Sequence, residues 1–98
     1  MSNFLKSQKL TVYTQDNCPY CVLMKKKLLT WGYDFHEVNV SYDTDAKLFL
    51  KEHKHRTVPQ VYYNDMHCNQ GVDTAAFNKR HLEIALKMEN DSGVELFG

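Results

Sequence analysis

Residues 10–24 read LTVYTQDNCPYCVLM, and this stretch decides the fold. Its first four residues are rich in β-branched and aromatic side chains, which predicts a short strand. A polar connection follows, and Pro19 then falls where a helix would begin, a position at which its missing N–H and fixed φ are tolerated. Cys18 is therefore the predicted N-cap. The helix is indicated by apolar residues at spacings of three and four: Cys21, Met24, Leu28 and Trp31.

The placement of Cys18 and Cys21 predicts redox chemistry. Unpaired amides and the partial positive charge at a helix N-terminus favour the thiolate form of Cys18. Cys21 follows one turn later, so the two Cα atoms can lie about 5–6 Å apart, within the range that a disulfide spans. In a reducing compartment such a pair is a redox or metal motif far more often than a structural crosslink. We therefore expect a reversible Cys18–Cys21 disulfide.

The composition limits the classes of function. Of the 98 residues 43% are hydrophobic and 24% charged, which is typical of one small globular domain. Twelve basic and twelve acidic side chains balance, whereas a nucleic-acid-binding protein normally has a basic excess. The one basic cluster, Lys25-Lys26-Lys27, is expected on a solvated helix face. No run approaches the roughly 20 apolar residues that span a bilayer, and no signal peptide is evident, so a cytoplasmic location is expected.

The remaining patterns predict the order β-α-β-α-β-β-α. Residues 35–40 alternate as a half-buried strand, and a strand, a helix and a strand within about thirty residues favour parallel pairing. Residues 41–45 supply turn and cap residues for a second helix. A third strand over 58–63 and a short fourth strand over 66–68 would form an antiparallel hairpin around Asn64-Asp65. The expected fold class is α/β, a mixed four-stranded sheet covered by helices.

The C-terminal part predicts a last helix capped by Asp73 and Thr74. Its apolar stripe would comprise Phe77, His81, Ile84 and Met88. A single domain over residues 1–98 accounts for the whole pattern, with a core over about 9–88 and a loose tail over 89–98. Tyr62 and Tyr63 fall on opposite faces of the third strand, so we expect only one of them in the core. Cys68 is expected there as a small hydrophobic residue.

Together these features resemble a dithiol glutaredoxin of the thioredoxin fold. The resemblance rests on the element order, on Cys18-Pro19-Tyr20-Cys21 after the first strand and on Thr57-Val58-Pro59 opening the third, and it covers residues 9 to 88. It implies a glutathione-dependent thiol–disulfide oxidoreductase that reduces protein disulfides and glutathione mixed disulfides. Glutathione would be the co-substrate, and no metal or organic cofactor would be bound.

The resemblance also implies roles for the matching residues. Cys18 would attack the disulfide, and Cys21 would resolve the resulting mixed disulfide. Pro59 would be cis, so that the backbone of Val58 could pair with the cysteinyl part of glutathione like an added strand. The residues implied to bind glutathione are Gln15, Tyr20, Arg56, Thr57, Val58, Pro59, Val72 and Asp73.

Two of these residues are implied to hold the charged ends of the tripeptide. The Arg56 guanidinium would suit the glycyl carboxylate. Asp73 would mark the start of the last helix near the γ-glutamyl end, where helix amides could bind a carboxylate. The expected partners are glutathione and disulfide-containing or glutathionylated proteins, with ribonucleotide reductase as a client that the resemblance suggests. A monomer that binds neither nucleic acid nor membranes is expected.

Two departures from the family pattern keep other functions open. Gln15 stands where the family has lysine or arginine, and Asn69-Gln70 stand where it has a glycine pair, with Gly71 one place late. A thioredoxin-like reductant served by a flavoprotein reductase is therefore an alternative. A metal- or iron–sulfur-binding adaptor is a third, because Cys-x-x-Cys is half of many zinc sites. Its second half would come from residues without the usual zinc spacing: His53, His55, His67 and Cys68.

Overall fold

A computed structural model describes residues 10–91, with the side chains of residues 10–87. The predicted element order is confirmed. The elements are β1 (Leu10–Thr14), α1 (Pro19–Thr30), β2 (Phe35–Asn39), α2 (Thr44–Glu52), β3 (Gln60–Tyr63), β4 (Met66–His67) and α3 (Lys79–Asp91). Of the predicted loose tail, residues 89–91 continue α3, whereas residues 92–98 lie outside the described part of the chain.

The four strands form one mixed sheet in the order β2-β1-β3-β4. β1 pairs with β2 in parallel, as the crossover through α1 predicts, and with β3 in antiparallel register. β3 and β4 form the predicted hairpin, in which Tyr63 pairs with Met66. β1 lies in the interior of the sheet, between β2 and β3. The loop after its C-terminal end therefore places Cys18 beside an interior strand and not at the side of the sheet.

Helices cover both faces of this sheet. On one face α1 and α3 pack on β1 and β3 through fully buried side chains: Val12, Met24, Leu28, Val61, Phe77 and Leu82. On the other face α2 packs through Ala46 and Leu50, with Tyr13 and Phe49 half-buried beside them. Burial of these apolar side chains is the main favourable contribution to folding. Among the described residues no helix is long and apolar enough to cross a bilayer.

The expectation that only one of Tyr62 and Tyr63 is buried is wrong. Tyr62 is 3% exposed and Tyr63 is 8% exposed. Tyr63 belongs to the core under α1 and α3, whereas the ring of Tyr62 contacts Tyr13 and Phe49 on the α2 side. Opposite faces of a strand are both buried when helices cover both sides of the sheet. Cys68 is buried in the same core as Tyr63, under α1 and α3, as predicted.

The last helix begins later than predicted. Asp73 and Thr74 start a separate turn, in which the Asp73 carbonyl accepts hydrogen bonds from the amides of Ala76 and Phe77. α3 begins at Lys79. The Asn78 amide donates to His81 Nδ1, and the His81 amide donates to Asn78 Oδ1, both at 3.0 Å. This reciprocal pairing satisfies two amides of the first turn and fixes the start of the helix.

The delayed start also changes the buried stripe of α3. Ile84, expected in the core, is 48% exposed. Leu82 is fully buried, and Ala85 and Leu86 pack beside it. Phe77 is buried as predicted but precedes the helix, so the helical spacing that linked it to Ile84 does not apply. The side chain of Met88 lies outside the described part.

Candidate active site

Cys18 is the N-cap of α1, as predicted. Its backbone is extended, with φ −121° and ψ 97°, and Pro19 opens the helix. The Cys18 carbonyl accepts hydrogen bonds from the amides of Cys21 and Val22. The Cys21 amide also lies 3.1 Å from Cys18 Sγ, directed at the sulfur. This amide and the N-terminal end of the helix would stabilise negative charge on Cys18 Sγ once the disulfide is reduced.

Cys18 and Cys21 form a disulfide, with their Cα atoms 5.2 Å apart. The two residues differ in access to solvent. Cys21 is 2% exposed and belongs to the buried side of α1, whereas Cys18 is half-buried at the surface. A reagent that approaches from solvent therefore reaches the sulfur of Cys18 before that of Cys21.

The segment before β3 faces the disulfide. The Val58–Pro59 peptide bond is cis, as the resemblance implied. The carbonyl oxygen of Val58 lies 3.9 Å from Cys18 Sγ. β3 begins at Gln60, two residues later than predicted, so Val58 and Pro59 form an irregular segment in front of the strand. This segment places main-chain groups beside the accessible sulfur.

A groove of about 890 Å³ runs along this segment. It is lined by residues 54–60 and 69–75 together with Tyr20 and His67. All the residues implied to bind glutathione line it except Gln15. Gln15 lies in a second groove of about 540 Å³, which also contains Cys18 and Cys21. The glutathione contacts themselves stay predictions.

Two lysines of α1 bind groups next to the two grooves. Lys27 is half-buried and its Nζ donates to the carbonyls of Thr74 and Phe77, both at 2.7 Å. Lys25 forms an ion pair with Glu37 at 3.0 Å. The expectation of a solvated cluster is therefore wrong for these two, and Lys26 alone of the three is exposed. Three consecutive lysines gave no indication in the sequence that Lys25 and Lys27 bind different partners.

Glu37 connects Lys25 to the end of β1 in the second groove. The buried Thr14 hydroxyl donates to Glu37 Oε2 at 2.8 Å, and Lys25 Nζ donates to both carboxylate oxygens. The hydrogen bond from Thr14 and the contacts with Lys25 lower the pKa of Glu37, against a smaller opposing effect of burial. The carboxylate is therefore held ionised on this side of the disulfide.

The loop before Cys18 is attached to the β2–α2 turn. The Asp16 amide donates to Ser41 Oγ at 3.0 Å, and the Asp16 carboxylate accepts from Asn39 and from the Tyr42 hydroxyl. Asn17 has a positive φ of 56°, a conformation that asparagine tolerates better than most residues. These bonds hold the approach to the N-cap in one position.

Two histidines lie at the base of the first groove. The rings of His55 and His67 have centroids 4.5 Å apart, and His55 Nε2 is 2.7 Å from the Tyr62 hydroxyl. Burial and the nearby His53 lower the pKa of His55. Burial and His55 lower the pKa of His67. Within residues 10–91 no three His, Cys, Asp or Glu side chains are grouped so that they could hold a metal ion.

Side chains that sequence reasoning missed lie around the Val58 segment. Asn69 and Gln60 are buried and hydrogen-bond to the main chain there. Lys27 binds the turn at residues 74–77. The departure from a glycine pair at Asn69 was the available signal, because a polar residue that replaces a buried glycine needs a hydrogen-bonding partner.

Comparisons with known proteins agree with this geometry. The glutaredoxin family model matches residues 10–68. A probable glutaredoxin of Synechocystis is 36% identical over 61 residues, which cover 58% of this chain and 54% of that protein. The glutaredoxin-like protein NrdH of Salmonella typhimurium is 33% identical over 57 residues, covering 58% of this chain and 70% of that protein.

A solved structure extends the similarity beyond the family-model match. Oxidized glutaredoxin 2 from Chlamydomonas reinhardtii superposes with a TM-score of 0.60 at 28% identity, covering 90% of this chain and 92% of that one. This chain spans about half the length of the Synechocystis relative. The family match nevertheless includes the Cys18–Cys21 disulfide, the cis-Pro59 segment and all four strands. The chain therefore belongs to the glutaredoxin family.

Proposed function

We propose that this protein is a thiol–disulfide oxidoreductase that uses glutathione as its reductant. The observation that carries the proposal is the position of Cys18 Sγ. Cys18 Sγ is accessible to solvent and accepts a hydrogen bond from the Cys21 amide at 3.1 Å. It lies 3.9 Å from the carbonyl oxygen of Val58, a residue that lines an open groove. A sulfur at a helix N-terminus reacts as a thiolate, and a disulfide-bonded partner can approach it along the groove.

The reaction proceeds by two displacements. The Cys18 thiolate attacks the glutathione sulfur of a glutathionylated protein, forms a Cys18–glutathione disulfide and releases the protein thiolate, which takes up a proton. In one route the Cys21 thiolate attacks Cys18 Sγ of this mixed disulfide, forms the Cys18–Cys21 disulfide and releases glutathione. In the other route a second glutathione attacks the glutathione sulfur, forms glutathione disulfide and releases the Cys18 thiolate. When Cys21 resolves it, two further glutathione molecules reduce the Cys18–Cys21 disulfide and leave as glutathione disulfide. Electrons and sulfur atoms balance, and no metal takes part.

The groove supports glutathione as the ligand because its lining fits an extended tripeptide with charged ends. Cationic side chains, Lys54 and Arg56, line one part of it, where a carboxylate could be bound. Val58 supplies main-chain groups in the middle, near the reacting sulfur. Val72 and Asp73 line another part, next to the turn at residues 74–76. The amides that could bind a second carboxylate belong to this turn and not to α3.

A turnover assay tests the proposal. Reduced protein, glutathione, glutathione reductase and NADPH are mixed with a peptide that carries one glutathionylated cysteine. We expect NADPH oxidation that saturates with substrate and is lost in the Cys18→Ser variant. Wild-type protein without turnover above the uncatalysed rate would refute glutathione dependence.

The second candidate is a thioredoxin-like reductant served by a flavoprotein reductase. It is supported by Gln15, an uncharged residue that stands in the second groove where the family resemblance implies lysine or arginine, and by the similarity to the glutaredoxin-like protein NrdH. The same protein is assayed with thioredoxin reductase and NADPH on a protein disulfide. Turnover there, without turnover in the glutathione arm, would select this candidate.

A further inference from the structure

Val58 lies between two carbonyl groups that are each held by a side-chain amide. Gln60 Nε2 donates to the Thr57 carbonyl at 2.9 Å, on one side of Val58. Asn69 Nδ2 donates to the Pro59 carbonyl at 3.2 Å, on the other side. Gln60 is 8% exposed and Asn69 is 6% exposed, so water does not compete effectively for these bonds.

Both amides are themselves fixed by further hydrogen bonds. Asn69 Oδ1 accepts from the Val61 amide at 3.0 Å, so one side chain bonds to two alternate residues of the chain, as a neighbouring strand would. Gln60 Oε1 lies 2.6 Å from His67 Nε2, which acts as the donor in this arrangement. β4 contains only two residues. Beyond it the Cys68 amide donates to the Val61 carbonyl at 2.8 Å, and the Asn69 side chain then continues the bonding.

We propose that Asn69 and Gln60 are positioning residues that set the main chain of Val58 relative to Cys18 Sγ for pairing with the substrate backbone. This inference rests on the proposed thiol–disulfide exchange at Cys18. A substrate that pairs with Val58 as an extra strand needs the Val58 peptide group at a defined distance from Cys18 Sγ. In the structure the Val58 carbonyl oxygen lies 3.9 Å from this sulfur. A displaced Val58 peptide group pairs less well with the substrate backbone in the ground state and the transition state alike, so the main effect falls on KM. Glycine at position 69, as the family resemblance implies, could make neither Asn69 bond.

The direct test is Asn69→Asp, which keeps the size and the acceptor but loses the donor to Pro59. Gln70→Glu is the matched control for charge, because it adds the same charge one residue away, at an exposed position that lines the same groove but has no hydrogen bond to the Val58 segment among those described. Leu82→Val controls for a loss of stability in the core away from the site. For the glutathionylated peptide we expect N69D to raise KM about fivefold or more relative to Q70E, as the loss of one hydrogen bond allows, with kcat changed less than about twofold.

A second readout separates positioning from an effect on the thiol. Alkylation of reduced Cys18 by iodoacetamide needs no pairing with Val58, so its rate in N69D should stay within about twofold of the wild type. Equal KM values for N69D and Q70E, a matching KM increase in L82V, or slower alkylation in N69D would overturn the inference while leaving the proposed function intact. Wild-type protein inactive on disulfides with either reductant would overturn both. Should N69D fail to fold, Gln60→Glu removes the other donor and is held to the same criteria.

Discussion

Lys27 Nζ donates a 2.7 Å hydrogen bond to the carbonyl oxygen of Phe77, linking the last turn of α1 to the residue that precedes α3 by two positions. The same ammonium bonds to the Thr74 carbonyl, and Thr74 lines the first groove. A cation that satisfies several carbonyls of a turn substitutes for the amides that a longer helix would have supplied. The wall of the groove at residues 72–75 therefore depends on a side chain from the helix that carries the cysteines.

Lys27→Met should destabilise the protein by about 1–2 kcal/mol, because the carbonyls of the turn lose a charged donor while the apolar stem is kept. Urea denaturation monitored by circular dichroism measures this change. Lys26→Met is the matched control, since Lys26 is exposed on the same helix, and it should lie within about 0.5 kcal/mol of the wild type. Equal effects of the two substitutions would show that the contacts with the turn contribute nothing to stability.

Cys18→Ser should abolish reduction of both protein disulfides and glutathione mixed disulfides, since a serine hydroxyl is not ionised at neutral pH and cannot exchange with a disulfide. Initial rates with the two substrate types measure the effect. Activity retained in this variant would mean that another residue is the nucleophile.

Cys21→Ser should stop the reduction of protein disulfides but keep part of the activity on glutathione mixed disulfides, because a second glutathione can replace the buried thiol. The two assays are run side by side on the same preparation. Cysteine 21 would lose its assigned resolving role if both activities fell equally.

Arg56→Ala should raise KM for the glutathionylated peptide about tenfold with little change in kcat, as expected when a charge-assisted hydrogen bond to a carboxylate is lost. Steady-state kinetics measure both constants. Arg80→Ala is the control, because Arg80 is exposed on α3 and does not line the groove. An unchanged KM in R56A would remove Arg56 from the binding site.

The histidine pair predicts a loss of stability in mild acid. The pKa values of His55 and His67 are lowered in the folded protein, so the unfolded chain binds more protons once the pH falls below about 6.5. Stability is therefore fully present above that pH and decreases as the pH falls through the folded-state pKa values. Urea denaturation at pH 7.5 and 5.5 should show this decrease. His67→Gln should reduce it and His36→Gln, at an exposed position on β2, should not. A decrease of equal size in both variants would assign the effect to other groups.

Local signals in the sequence predicted the parts of the fold that local chemistry determines. Pro19 after a capping Cys18 starts α1 at the expected residue, and Gly32, with its positive φ of 85°, follows the C-cap Trp31. The start of α3 was mispredicted because Asp73 and Asn78 are both good capping residues. The choice between them depends on burial of Phe77 and on the Lys27 contacts.

The same distinction between local signals and contacts of distant residues applies to the candidate site. The Cys18–Cys21 pair follows from a short motif and the cis conformation of Pro59 from the family resemblance, and the structure brings them together as expected. Asn69 stood out as a departure from the family pattern, but the hydrogen bonds of Asn69 and Gln60 to the Val58 segment could not be predicted, because folding alone brings their partners near. The spacing of apolar residues predicts the face of a helix or strand on which a side chain lies. It does not predict which backbone group of another segment that side chain will contact.

The side chain of Asn69 also has a consequence for solubility. β4 is the outermost strand on its side of the sheet and contributes two residues, which would leave the Pro59 carbonyl and the Val61 amide uncovered. An uncovered row of such groups recruits strands from other molecules and starts aggregation. Because Asn69 occupies both groups, neither the Pro59 carbonyl nor the Val61 amide is available to a strand from another molecule.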